Sequence, residues 1–241
     1  MKKEYVGDIN DFAKYSLLRQ MAGSPGPNSF RLGVIWYLTP DEGKDGRRVK
    51  YLADPHPNVY SEADQELFMA LGLLVNEARR DVSQVEAAYL LPKDSIYFAE
   101  PLIGQDRSSW LEHALSATGD CDLVFLDPDN GLASPTVSKR STKHATVEEL
   151  RHFLERGQSV ITVQFFRRSP HAKQLQDWLL MLQNTLPVAH PGPFALRWHK
   201  DVSLGFLVIP SERHAFSLFQ KAQTLVSGRW KRLFELHEVE E

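Results

Sequence analysis

Apolar residues fall along this chain in two alternating rhythms. Apolar runs of strand length occupy residues 31–38, 121–126 and 159–165, and such runs suit strands buried on both faces; residues 95–102 also have strand character. Between them the apolar positions return every three or four residues. Phe12, Tyr15, Leu18 and Met21 mark a helix over 10–21, with Asp8 or Asn10 as its cap. Helices are likewise predicted over 110–117, over 147–156 with Thr146 as cap and Gly157 as stop, and over 171–185. Residues 60–91 are acidic and rich in Leu and Ala at helical spacing, and predict a helical insertion over about 53–92. Strands alternating with helices imply an α/β domain with a mainly parallel sheet covered on both sides. The ending differs. Runs at 194–198 and 205–209 are joined by too few residues for a crossover helix, so they are expected to pair antiparallel and to close the sheet as a C-terminal hairpin.

Composition adds little to this picture until charge is mapped along the chain. The 241 residues carry 28 Lys+Arg and 31 Asp+Glu, a net charge of −3, with ordinary apolar content. These values suit one globular α/β domain and exclude disordered, collagen-like and coiled-coil chains. Residues 53–129 hold 15 acids and 4 bases, whereas residues 138–173 hold 8 bases and 3 acids. The basic segment supplies Lys139, Arg140, Lys143, Arg167 and Arg168, which would face RNA or DNA if they converge in space, and are scattered solvated charges if they do not. Only Cys121 is present, so no internal disulfide forms and a reducing, cytoplasmic setting is expected. No apolar stretch approaches the roughly 18 residues that span a bilayer, and no secretory apolar region follows Met1.

Two clusters carry candidate chemistry. Open α/β sheets bind ligands beyond the carboxyl ends of their strands, and the run Phe125-Leu126-Asp127-Pro128-Asp129-Asn130-Gly131 puts two carboxylates and an amide at such an end. Asp-Pro and Asn-Gly are also plain turn formers. The other cluster is Gly7-Asp8-Ile9-Asn10-Asp11-Phe12-Ala13-Lys14-Tyr15. One helical turn separates Asp11 from Lys14, which suits either a ligand-facing pair or a surface ion pair.

These strings carry a resemblance. The layout of a parallel sheet ending in an antiparallel hairpin is similar to that of S-adenosylmethionine-dependent methyltransferases, a Rossmann-like architecture. Gly7-x-x-x-Asp11-x-x-Lys14 and the strand ending in Asp127-Pro128 resemble bacterial large-subunit ribosomal RNA adenine methyltransferases of the DNA-uptake-associated family. More closely, the two strings resemble an uncharacterised bacterial family with GDxxDxxKY and DPDNG motifs. The literal match covers about 25 residues. The resemblance implies that S-adenosylmethionine is the cofactor, that Lys14 lies beside the donor's carboxylate, and that Asp127, with Asp129 and Asn130, stands where the methyl-accepting amine is held. Asp8, Asp11, Thr39 and Asp41 are then the further donor-site candidates, and Glu100 the acid for the donor's ribose hydroxyls. The sequence departs from the family where Asp129-Asn130 replaces Pro-Tyr, removing the ring that stacks on an extruded base. The loop Thr39-Pro40-Asp41-Glu42-Gly43 also has one glycine where the family's is glycine-rich.

Other classes fit parts of the pattern. A non-catalytic methyltransferase-like binding module accommodates both departures. Apolar-apolar-Asp-x-Asp also resembles the nucleophile motif of haloacid-dehalogenase-type phosphatases, and Asp127 and Asp129 with Lys139 or Lys143 suit a metal-dependent nuclease. No zinc spacing, serine-hydrolase elbow or Gly-Lys phosphate loop occurs, and no metal ligand set is expected. Lys14 and Asp127 are expected to meet at one cleft although 113 residues separate them. Alanine at either is expected to abolish donor binding while leaving thermal stability nearly unchanged.

Overall fold

A computed structural model describes residues 5–40, 48–53, 57–134, 141–187, 189–202 and 204–239. Helix α1 (Ile9–Ala22) leads into β1 (Leu32–Trp36). Helices α2 (Val59–Ala63), α3 (Gln65–Asn76) and α4 (Val82–Ala87) fill the crossover to β2 (Ile96–Phe98). Then α5 (Arg107–Ala117), β3 (Leu123–Asp127), α6 (Val147–Glu155), β4 (Ser159–Phe165) and α7 (His171–Thr185) alternate. The chain continues through β5 (Phe194–Trp198), β6 (Leu204–Ile209), α8 (Ala215–Ser227) and β7 (Phe234–His237).

The seven strands form one mixed sheet in the order β2-β1-β3-β4-β6-β5-β7. Strands β2, β1, β3 and β4 are mutually parallel, as their two-sided apolar character requires, and β1, β3 and β4 are buried nearly throughout. Side chains alternate between two cores. Leu32, Val34 and Trp36 face a core roofed by α1, α3 and α8, while Ile35 and Tyr37 face one roofed by α5, α6 and α7. Helix starts follow the sequence signals closely. Asp8 caps α1 by accepting from Asn10 N, and Thr146 with Glu149 forms a capping box on α6, an arrangement that contributes about 1 kcal/mol.

The C-terminal expectation needs correction. Strand β6 does pair antiparallel with β5, but it inserts between β4 and β5, so that β5 runs parallel to β4. The hairpin does not close the sheet, because β7 adds antiparallel on the far side of β5. Strand β7 is four residues long and only partly buried, too short to show a period. Strand β2 keeps three of the eight residues expected of it, so Glu100 stands two residues beyond that strand and does not end it. The helical insertion exists as helices and serves as the β1-to-β2 crossover. Among the described residues no helix is long and apolar enough to cross a membrane.

Candidate functional site at the carboxyl edge

From β1 the chain crosses to β2 on one side and later returns to place β3 on the other. The carboxyl ends of β1 and β3 therefore flank the point where strand order reverses, the crevice where open α/β sheets bind ligands. Trp36 and Asp127, the last residues of these strands, are register partners. Helix α1 begins above the same edge and brings two charged side chains down onto it.

Lys14 Nζ lies 2.8 Å from Asp127 Oδ1 and donates to Oδ2 at 3.0 Å. It also donates to Asp11 Oδ1 at 3.3 Å, while Tyr15 OH donates to Asp11 Oδ2 at 3.3 Å. The expected meeting of Lys14 and Asp127 is thus present, but not at an open cleft. Asp11 is 0% exposed, Asp127 1% and Lys14 4%. Neither the surface-pair reading of Asp11 and Lys14 nor the expectation of tolerant alanine variants survives this burial. Removing one partner of a buried ion pair costs about 3–5 kcal/mol, because the other charge is left without compensation.

Burial also sets the protonation states. Asp11 is pushed up to about 7 by desolvation, with Lys14 opposing and Asp127 and Asp8 adding to the rise. For Lys14, burial pulls the pKa down, but Asp127 and Asp11 more than offset it and the ammonium is held above its ordinary value. Tyr15 is raised well above 10.0 by burial and then by Asp11, so it stays a neutral donor. Near neutral pH the cluster keeps the Lys14 charge and can hold or release one proton at Asp11.

The first motif resolves residue by residue. Gly7 adopts φ +88°, and a Cβ there would stand 2.4 Å from Val75 Cγ2 of α3, so both backbone and packing demand glycine. Asp8 is buried and its two oxygens accept from Asn10 N at 2.9 Å and Arg48 N at 3.3 Å. It is a helix cap and a tether for the chain after β1.

In the second motif, Thr39 Oγ1 donates to Asp129 Oδ2, joining the segment after β1 to the turn after β3. Asn130 is exposed, and its backbone N–H donates to Lys143 O at 2.8 Å. Gly131 has φ +79°, and a Cβ there would stand 2.5 Å from Gln164 Oε1. That oxygen accepts from Leu132 N at 2.8 Å, so β4 latches the turn. Glu100 accepts Trp110 Nε1 through its carbonyl and pairs with His113 Nδ1 at 3.1 Å through its carboxylate, on the surface. Its side-chain partner is His113, which is not a member of the Lys14 cluster. Asp41 lies outside the described residues.

Sequence reasoning missed a second buried network. Glu149 accepts Arg107 Nε at 2.8 Å, Arg107 Nη2 at 3.0 Å, Tyr37 OH at 3.0 Å and Thr146 N at 2.8 Å. Arg107 also donates to the carbonyls of Ser141 and His144, each at 2.7 Å. This clamp fixes the segment before α6 against the end of β1. The capping spacing Thr146-x-x-Glu149 was its one visible trace in sequence. Of the basic residues, Lys143, Arg167 and Arg168 are exposed. The field of Arg167, after burial and Arg107, helps lower the pKa of His144, so Arg167 stands near the clamped segment. Lys139 and Arg140 lie outside the described residues. Among the described residues no three His, Cys, Asp or Glu side chains are grouped to hold a metal ion.

No family model matches the chain, and no curated protein or solved structure matches it either.

Proposed function

We propose that the protein is an S-adenosylmethionine-dependent methyltransferase acting on nucleic acid. The observation that carries the reading is the meeting of Lys14 with Asp127 at the point where strand order reverses. The residues present fit the donor in chemical type, since one ammonium and two carboxylates converge, as a zwitterion with an amine acceptor beside it requires. When bound, the donor supplies an electrophilic methyl group. Lys14 would hold its carboxylate, Glu100 its ribose hydroxyls, and Asp127 the acceptor amine. Asp11, raised to about 7 by burial, would hold a proton beside Lys14. Exposed Lys143, Arg167 and Arg168 would meet the phosphates of the acceptor strand.

A second reading is favoured by one observation. Asp127 and Lys14 already satisfy each other in near-complete burial, which suits a non-catalytic relative in which the pair is an internal strut. Calorimetry with S-adenosylhomocysteine separates the two. Saturable binding that is lost in Glu100→Gln, whose side chain is half-exposed, supports the donor site; no heat with a folded protein overturns it. RNA binding that weakens steeply with salt, without transfer of a labelled methyl group, would assign the strut reading.

A further inference from the structure

Away from the carboxyl edge, Gln20 of α1 and Ser217, Gln220 and Lys221 of α8 flank an open pocket of about 420 Å³ whose lining also includes Arg229. That volume suits a small ligand. Among the described residues two cations line it and no acid does.

Lys221 is half-buried, and burial alone lowers its pKa. Its Nζ sits 5.6 Å from the centroid of the Phe30 ring. Gly23 makes room for it, since a Cβ there would stand 2.5 Å from that nitrogen. The Arg229 guanidinium lies 5.9 Å from the Trp230 ring centroid. Neither cation has a carboxylate within 4.0 Å among the described residues, whereas Arg19, Arg107 and Arg197 each do. Nor are the two cations used in closing helix ends. Gly23 N caps Arg19 O, and Gly228 N caps Thr224 O.

A half-buried ammonium without a counter-charge is unfavourable in the free protein, and an anion in the cavity relieves it. Arginine's planar fork matches an oxyanion bidentately, lysine adds a point charge, and the neighbouring amides and hydroxyls supply neutral donors. The absence of acid from the lining favours a doubly charged group, and the volume leaves space for a substituent. We propose that this cavity binds a phosphate group, as inorganic phosphate or as the phosphomonoester of a nucleotide. The site does not depend on the methyltransferase reading, because none of its lining residues belongs to the Lys14 cluster.

Phosphorus NMR of the full chain, titrated separately with inorganic phosphate and with adenosine monophosphate at fixed ionic strength, tests it. A saturable shift, weakened about tenfold or more in both Lys221→Met and Arg229→Gln, is the expected result. Tighter binding of the nucleotide assigns a phosphomonoester, and equal or tighter binding of phosphate assigns the free ion. Lys221→Met is expected to fold with unchanged or higher stability without ligand, since it removes the uncompensated charge, so lost binding is not lost structure. No saturable shift in the parent, or equal affinity in both variants, overturns the proposal.

Discussion

The two edges of the sheet bury polar groups to the same degree and by opposite chemistry. At the carboxyl edge Asp11, Lys14 and Asp127 are charged or nearly so, and they satisfy chiefly one another. At the amino edge the groups are neutral. Gln158 Nε2 donates to Thr118 O at 2.7 Å and Cys121 O at 2.9 Å. Ser159, Ser211 and His214 share a hydrogen-bond network, with His214 Nδ1 3.0 Å from each hydroxyl. Neutral groups closing backbone hydrogen bonds are what a buried strand start needs. Buried charges are a costlier way to join α1 to β3, since apolar residues of similar volume often serve as well or better. The contrast therefore marks the carboxyl edge as the place where stability alone does not explain the residues.

The largest expected effect tests that contrast directly. Lys14→Met leaves two buried carboxylates and should lower unfolding free energy in urea by about 3–5 kcal/mol. Gln158→Leu, which strips the same number of buried acceptors of a neutral donor, should lose about 1–3 kcal/mol. Equal losses would erase the distinction between the edges. A Lys14→Met, Asp127→Leu double variant should recover part of the first loss, and strictly additive losses would show that the pair is not coupled.

Smaller effects sharpen the comparison through pH. Asp11 is raised from 3.8 to about 7 in the folded state, so the folded protein binds the extra proton, and this contribution to stability is present below 3.8 and lost as pH rises through about 7. Thermal midpoints of Asp11→Asn should accordingly gain on the parent between pH 5 and pH 8; parallel curves would place the titration elsewhere. His214 acts in the opposite direction. Burial, then Arg213, lowers its pKa below 6.5, with Asp122 opposing. The unfolded chain then binds the proton first, and stability falls as pH drops below 6.5. Replacing His214 with Asn should remove that acid-side slope, a smaller change because the group is less deeply buried than Asp11. Smallest of all, Glu100→Gln should change stability by no more than about 0.5 kcal/mol, since its ion pair with His113 is solvated.

Much of this architecture was readable from pattern. The strand over residues 159–165 and the helix over 171–185 match their observed bounds, the first as an unbroken apolar run and the second as a helical period, each with a clear break on either side. The parallel arrangement of β1, β3 and β4 followed from their being apolar on both faces. Strand β7 was hidden because four partly exposed residues carry no period, and β2 was overread because Ala99, Pro101 and Leu102 continue its apolar character after pairing stops. In the candidate site, the pairing of Lys14 with Asp127 followed from topology, since a helix preceding β1 and a strand beside it share one edge. Its burial did not, because exposure depends on what covers the edge. The Arg107–Glu149 clamp joins two residues 42 apart through side chains alone, and no local spacing announces such a contact.

The sheet's pairing order has a kinetic consequence. Strands β5 and β6 meet across a short link, and β6 can dock on β4 soon afterwards. Strand β1 must wait, because its partner Leu123 lies 91 residues beyond Leu32. Closing so long a loop carries a large entropic penalty before any contact repays it. The C-terminal strands therefore form a template that assembles early, and the union of β1 with β3 comes late in the folding reaction. The Lys14–Asp127 pair, bridging α1 and β3 across 113 residues, belongs with those late long-range contacts.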